Sequence, residues 1–338
     1  MTLTSPAGFF KKCIGKLFSP PQKEHPGETP EPIAGIVTTY TYDSLRTALT
    51  SQTKEDHRRV LKENQLDSYW PQLEKLARHE IKFQLAEVLD HDLKIGQSRI
   101  GGLPDLPANI PWCTDKKGQA LSFIAQINCR DIKPYDQENL LPDSGFLYFF
   151  YDPKQEALGV DPKDRDKFKV FYHDGPFKNL KPTPFPEDLP DFGQYDECAI
   201  SFKSSISLPD APENWGIKMS PADALKYARL QKQYSNCLYH KMLGYANPLQ
   251  NAMELDCQLV TNGIFIGNKN GFRGRRRTEL EKTMGEWRLL LQLHSDDFPG
   301  MMWGDEGRLY FWIKAMDLKN RNFNNCWVLL QSAPPPEA

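Results

Sequence analysis

The chain has 338 residues, 39% hydrophobic and 25% charged, enough to bury a full core in one large or two medium domains and too apolar for a disordered tail. Its 42 basic and 44 acidic side chains leave a formal charge of −2, so no overall field draws it to nucleic acid, and no nucleic-acid partner is expected. Seven cysteines at 13, 113, 129, 198, 237, 257 and 326, without a C-x-x-C pair, and no long apolar run exclude a disulfide framework, zinc-ribbon spacing and a membrane span, and fit a soluble cytoplasmic protein.

In chain order, residues 9–18 (FFKKCIGKLF) place Phe9, Phe10, Cys13, Ile14, Leu17 and Phe18 on one helical face and three lysines on the other. That amphipathic segment would make weak contact with a membrane surface, or form a terminal turn packed on the domain. The prolines of 19–35 make the rest of 1–39 an extended linker, so the folded domain is expected from residue 40 to 332, with 333–338 a disordered tail. Asp43 caps a helical pattern to about Asn64, and Pro71 opens a shorter one to about His79. At Ile81 the period changes to two. Strands follow at 121–127, 146–151, 168–172, 198–208, 255–260, 287–293, 308–313 and 326–331, interrupted by a helix from Ser220-Pro221.

One pattern occurs twice. FIAQINCRD and PDSGFLYFF in 123–150 match LLLQLHSDD and GDEGRLYFW in 289–312: an apolar strand ending in Gln126 or Gln292, an Asp three residues past the following polar position, a Gly corner, then Leu-Tyr-Phe. A weaker echo links Ser98–Pro104 to His240–Ala246, with Arg99 and Lys241 142 residues apart. The expected fold is therefore α+β, mainly antiparallel sheet built from two pseudo-symmetric duplicated halves, about 81–210 and 236–332, joined by a helix-bearing connection at 211–235.

The strings SRIGGLPDLPANIPW, LSFIAQIN, LPDSGFLYFFYD, HKMLGY and WGDEGRLYFWI closely resemble the YwqG family of bacterial cytoplasmic proteins, over roughly residues 40–332. The resemblance implies a duplicated, mainly antiparallel fold without an established activity, and its association with toxin–immunity loci implies a binding role. The chain departs from the family at Leu243 and Ala246, where Gly and Pro are usual, and at His294, where Asp is usual.

Two functional readings remain open at this level. The first is a non-catalytic binding protein, an immunity or regulatory partner, whose basic run Arg273, Arg275, Arg276 and Arg277 grips an acidic protein. The second is a hydrolase or small-ligand binder with a cleft between the halves lined by Arg99, Gly101, Gly102, Gln126, Asn128, Lys241, Gln292, His294 and Asp297. In that cleft the glycine N–H groups beside Arg99 would cradle an anion. For each of these residues a structural role is also available: a buried Gln ties down a loop, and Asp before Gly is ordinary turn chemistry. Aspartates 131, 143, 297 and 305 resemble paired carboxylates only superficially. No HExxH, G-x-S-x-G or cysteine-protease signature is present, and no cofactor or metal is expected, His173, His240 and His294 being three lone histidines.

Overall fold

The computed structural model describes residues 52–88, 93–235, 240–267 and 274–332. The amphipathic segment 9–18, the proline-rich linker, Asp43, Arg273 and the tail 333–338 lie outside the described residues.

Among the described residues two helices come first. In α1 (Lys54–Glu63) Thr53 accepts the Asp56 N–H while the Asp56 carboxylate accepts the Thr53 N–H, a reciprocal cap that answers two of the donors a helix start leaves open. α2 (Trp70–Leu76) carries Pro71 in its first turn, where no N–H is needed. Leu61, Leu66, Trp70 and Leu73 of this region bury against Leu208, Ile217, Tyr227 and Leu230. Tyr227 and Leu230 belong to α4 (Pro221–Ser235).

The strands run β1 (Arg78–Glu87), β2 (Arg99–Ile100), β3 (Asp105–Pro107), β4 (Ser122–Asn128), β5 (Phe146–Tyr151), β6 (Phe168–His173), β7 (Leu180–Pro182), β8 (Cys198–Ser207), β9 (His240–Leu243), β10 (Trp287–His294), β11 (Arg308–Lys314) and β12 (Trp327–Gln331). Ten of them form one sheet in the order β12-β11-β10-β9-β1-β8-β2-β4-β5-β6, while β3 pairs with β7 separately. The described strand pairs are antiparallel, so the molecule is a mainly antiparallel α+β fold. Its centre is the pairing of β1 with β8, ten residues on each strand. The register slips at matching places on the two flanks, between Phe123 and Ala125 and between Leu289 and Leu291. Each slip is a β-bulge that bends its strand.

The sheet curls until its two ends nearly meet. The Phe168 and Trp327 rings lie 5.2 Å apart, Leu330 N–H donates to the Leu158 carbonyl (3.2 Å) and Trp327 Nε1–H to the Gly159 carbonyl (2.9 Å). Inside, Phe149 meets Phe311 edge to face at 5.1 Å. Such pairs contribute about 1 kcal/mol beyond the area they bury.

One expected strand is a helix. Residues 255–260 lie in α5 (Glu254–Val260), not in the sheet. Leu255, Cys257 and Leu259 alternate like a strand, yet Met253, Cys257 and Val260 share the spacing of one helical face and are buried together. In a window this short the two periods coincide, and packing decides. β2, β3, β7 and β9 were not expected, being two to four residues long. Shorter helices complete the set: α3 (Cys129–Ile132), α6 (Arg275–Glu281) and α7 (Ala315–Lys319).

Candidate functional site

The recurrent glutamines each anchor a buried polar network. On the β2 flank, Arg99 stands opposite Gln126. Its guanidinium donates to Asp105 Oδ2 (2.8 Å), Glu197 Oε1 (2.6 Å) and the carbonyls of Leu103 and Lys94 (both 3.1 Å). Gln126 Oε1 accepts the Asp105 N–H (2.7 Å), and its amide donates to Asp105 Oδ2 and the Gln97 carbonyl (both 3.0 Å). Tyr148 O–H donates to the Asp105 carbonyl (2.7 Å). Asn128 donates to the Gly96 carbonyl (2.8 Å).

On the β9 flank, Lys241 stands opposite Gln292. Gln292 Oε1 accepts the Asn247 N–H (2.9 Å), and Tyr310 O–H and Arg308 Nη1–H donate to the Asn247 carbonyl (2.8 and 2.7 Å). Lys241 Nζ donates to Glu80 Oε2 (2.9 Å), with Lys82 Nζ 3.5 Å from Glu80 Oε1. Burial alone would raise the Glu80 carboxyl, but the two ammonium groups hold it below its ordinary value.

These networks are separate. Between β2 and β9 lie β1 and β8, and Arg99 aligns through Ala199 with Ala86, whereas Lys241 aligns with Lys82. Three strand spacings and four residues of stagger put the two basic side chains on the order of 20 Å apart. The residues proposed to line one cleft are thus gathered as Arg99, Gln126 and Asn128 on one flank and Lys241, Gln292 and His294 on the other. Gly101 and Gly102 turn the chain at φ 63° and 67°, and their N–H groups are engaged by the carbonyls of Ile124 (3.0 Å) and Tyr195 (2.9 Å). His294 N–H donates to His240 Nδ1 (3.2 Å), and burial lowers the His294 imidazole to about 4. Asp297 is half-buried in the following turn, its carbonyl accepting the Gly300 N–H (3.2 Å). Within the arginine run, Arg275 pairs with Glu279 (2.9 Å) and Arg276 donates to the Asn262 carbonyl (2.8 Å), while Arg277 lies close enough to Asp256 to act on its charge.

An open cavity lies beside the β9 network, with a volume of about 420 Å³. Three loops wall it. The segment after β8 supplies Asp210 and Trp215, the segment after β9 supplies Tyr245 and Glu254 at the start of α5, and the segment before β10 supplies Glu281 and Lys282. The two rings meet edge to face at 5.6 Å, and the Arg78 guanidinium lies over both, 4.1 Å from the Tyr245 ring centre and 4.8 Å from that of Trp215. This cation–π stack and the Tyr245 O–H bond to the Leu76 carbonyl (2.8 Å) fix the aromatic wall.

Both inner carboxyls are hard to ionise. Burial raises Asp210 above its ordinary value, with Glu213 and Glu254 adding to the effect and Lys241 and Arg308 opposing it. Burial likewise raises Glu254 against the pull of Arg78 and Arg288. Neither carboxylate forms an ion pair among the described residues. A cavity lined by an aromatic pair and two carboxyls without ion-pair partners is suited to a cationic group, which would favour their charged form. The described cysteines are buried and form no disulfide, and no cluster of metal-ligating side chains occurs among the described residues.

Sequence reasoning missed Asp210, Trp215, Tyr245 and Glu254. Trp215 fell in the stretch read as a connection, and Glu254 just before the stretch read as a strand. The one available signal was the HKMLGY string, whose Tyr245 enters the wall.

Residues 98–332 match the family described as a domain of unknown function, DUF1963. No curated protein matches the chain. With the match spanning well over half of its length, the chain belongs to the DUF1963 family.

Proposed function

We propose that this member of the DUF1963 family is a non-catalytic binding protein whose cavity at Asp210, Trp215, Tyr245 and Glu254 takes a cationic side chain of a partner protein. The observation that carries the reading is a pair of carboxyls, Asp210 and Glu254, both raised by burial, in the lining of a cavity of about 420 Å³ with two aromatic rings in its wall. A buried carboxylate without an ion-pair partner is unfavourable, so an arriving ammonium or guanidinium gains Coulomb attraction beside the aromatic wall that Arg78 holds in place. The test is a titration of the full chain with N-acetyl-arginine amide, N-acetyl-lysine amide and N-acetyl-glutamate amide. Saturable thermal stabilisation by the two cations, absent with glutamate and absent in Asp210→Asn/Glu254→Gln, is expected. Equal responses to all three compounds would sink the reading.

The finer placement follows the YwqG resemblance: a cytoplasmic immunity or regulatory partner with its cysteines kept reduced. Growth rescue against toxins encoded nearby tests the immunity role, and failure to recover any stoichiometric partner from the native cell counts against it. The two carboxyls in one cavity also favour a second reading, a hydrolase in which they serve as acid and base. A panel of ester, amide and phosphoester substrates left uncleaved removes it.

We also read the sheet as two copies of one unit with their first strands exchanged. β1 precedes β2 in the chain but pairs with β9, and β8 precedes β9 but pairs with β2. Gln126 and Tyr148 around Asp105 are answered by Gln292 and Tyr310 around Asn247 in the same hydrogen-bonding roles, and the Arg99 bond to Glu197 by the Lys241 bond to Glu80. Gly102 and Gly244 each face the Cβ of a glutamate, Glu197 and Glu80, at 2.7 Å from where their own Cβ would stand. A rotation relating β2–β6 to β9–β12 that departed widely from 180° would remove this reading.

A further inference from the structure

We propose that a second cavity, walled by Lys133, Arg288, Lys319 and Arg321, binds a small oxyanion of the phosphate class. Its volume is about 530 Å³, and it lies between the segment joining β4 to β5 and the end of α7. Four cationic side chains from three separate stretches of chain converge there, and Asp143 is the one carboxylate in the lining. Lys133 takes up that carboxylate, holding it below its ordinary value, and also donates to Asn139 Oδ1 (2.9 Å). Three positive groups are left without a matching acid in the wall.

Each of the three is presented rather than consumed. Arg288 is steered by the carbonyls of Gly285 (2.5 Å) and Trp287 (2.9 Å), both bonded through Nη1, which leaves Nη2 and Nε for a ligand. Arg321 is exposed; its guanidinium stands 5.6 Å over the Tyr172 ring, and its contact with Asp174, at 3.9 Å, is longer than a hydrogen bond. Lys319 forms no ion pair among the described residues. Favourable placement of Lys319 and Arg321 at the end of α7 accounts for two of the cations, but not for Arg288 on β10 or Lys133 across the cavity. Leu141 and Leu318, both buried, form part of the same wall and lower the local dielectric.

Two guanidinium forks and an ammonium around one cavity match an oxyanion that accepts several hydrogen bonds at once. A phosphate dianion answers the charge surplus better than a carboxylate, which brings one negative charge. The cavity is distinct from the one proposed for a cation, so failure here leaves that reading standing.

The test uses inorganic phosphate, phenyl phosphate, acetate and chloride at equal ionic strength, read as thermal stabilisation of the full chain and of Lys319→Gln/Arg321→Gln. Both positions are exposed, so the variant should unfold at the unliganded protein's temperature. Saturable stabilisation by inorganic phosphate is expected, and the variant should bind about tenfold more weakly or worse, the loss typical of charge-assisted hydrogen bonds. Phenyl phosphate binding alongside inorganic phosphate identifies a phosphomonoester source, and inorganic phosphate alone identifies the free ion; either supports the site. The proposal is overturned if chloride or acetate stabilises as much as phosphate, or if the variant responds like the parent.

Discussion

The β2 and β9 flanks are built on one hydrogen-bonding plan and differ in where charge is closed. On the β2 flank Arg99 is clasped by two carboxylates, Asp105 and Glu197. On the β9 flank the aspartate's place is taken by Asn247, the arginine's by Lys241, and a second cation, Arg308, reaches the same carbonyl. One flank encloses its cation between carboxylates in a packed core. The other leaves its positive groups acting on Asp210, at the wall of an open cavity. The lesson is that two networks alike in hydrogen bonding can differ in charge, one enclosed by carboxylates and one reaching a cavity wall.

The largest way to break the comparison is to delete each flank's central cation. Arg99→Met leaves two buried carboxylates facing each other and should cost about 4 kcal/mol, whereas Lys241→Met leaves Glu80 with Lys82 and should cost roughly 2 kcal/mol. Urea midpoints measure both, and equal losses would show that the flanks are not differently closed.

A smaller effect separates the two turns. Leu243 holds φ 61° where Gly101 holds 63°. A Cβ at Gly101 would stand 2.2 Å from the Asp196 carbonyl oxygen, so Gly101→Ala should destabilise by about 3 kcal/mol. At 243 the side chain has room and is buried to 3% exposure. There Leu243→Gly gains about 1 kcal/mol of relieved strain and loses about 3 of packing, a net cost of roughly 2 kcal/mol. Packing therefore outweighs strain, and a stabilised Leu243→Gly would reverse that ranking.

The smallest effect concerns pH. Burial lowers His294 from 6.5 to about 4. A histidine depressed in the folded state supports folding above its unfolded value and loses that contribution as pH falls from 6.5 toward 4. His294→Asn, which installs the residue found at 128, should remove up to about 2 kcal/mol of the stability lost between neutral pH and pH 4. Parallel stability–pH curves for parent and variant would show the imidazole to be unperturbed.

Much of the sheet was legible because long apolar strands with turn residues at their ends admit one reading. Phe146–Tyr151 is the clearest, matching residue for residue. The register of Arg99 with Gln126 and of Lys241 with Gln292 has its trace only in the order of the two motifs, since their separation differs between the copies and β9 is only four residues long. What escaped was everything decided by packing between distant segments. Residues 255–260 satisfy both periods, and only the burial of Cys257 and Val260 against the sheet selects the helix. Asp210, Trp215, Tyr245 and Glu254 come from two loops and a helix start, with no spacing rule between them, so no local pattern could assemble their cavity.

The near-meeting of β6 and β12 bears on how any partner can be read. An open sheet presents two rows of bare N–H and C=O groups, a template for adding a foreign strand or for aggregating. Here the loop at Leu158 and Gly159 takes up the Leu330 N–H and the Trp327 indole N–H, and Arg165 donates to the Cys326 carbonyl (3.4 Å). The backbone of β12 is thus partly answered within the molecule. Under the binding role proposed above, recognition would fall to side chains in loops, the part of such a fold free to vary without disturbing its ladder of strands.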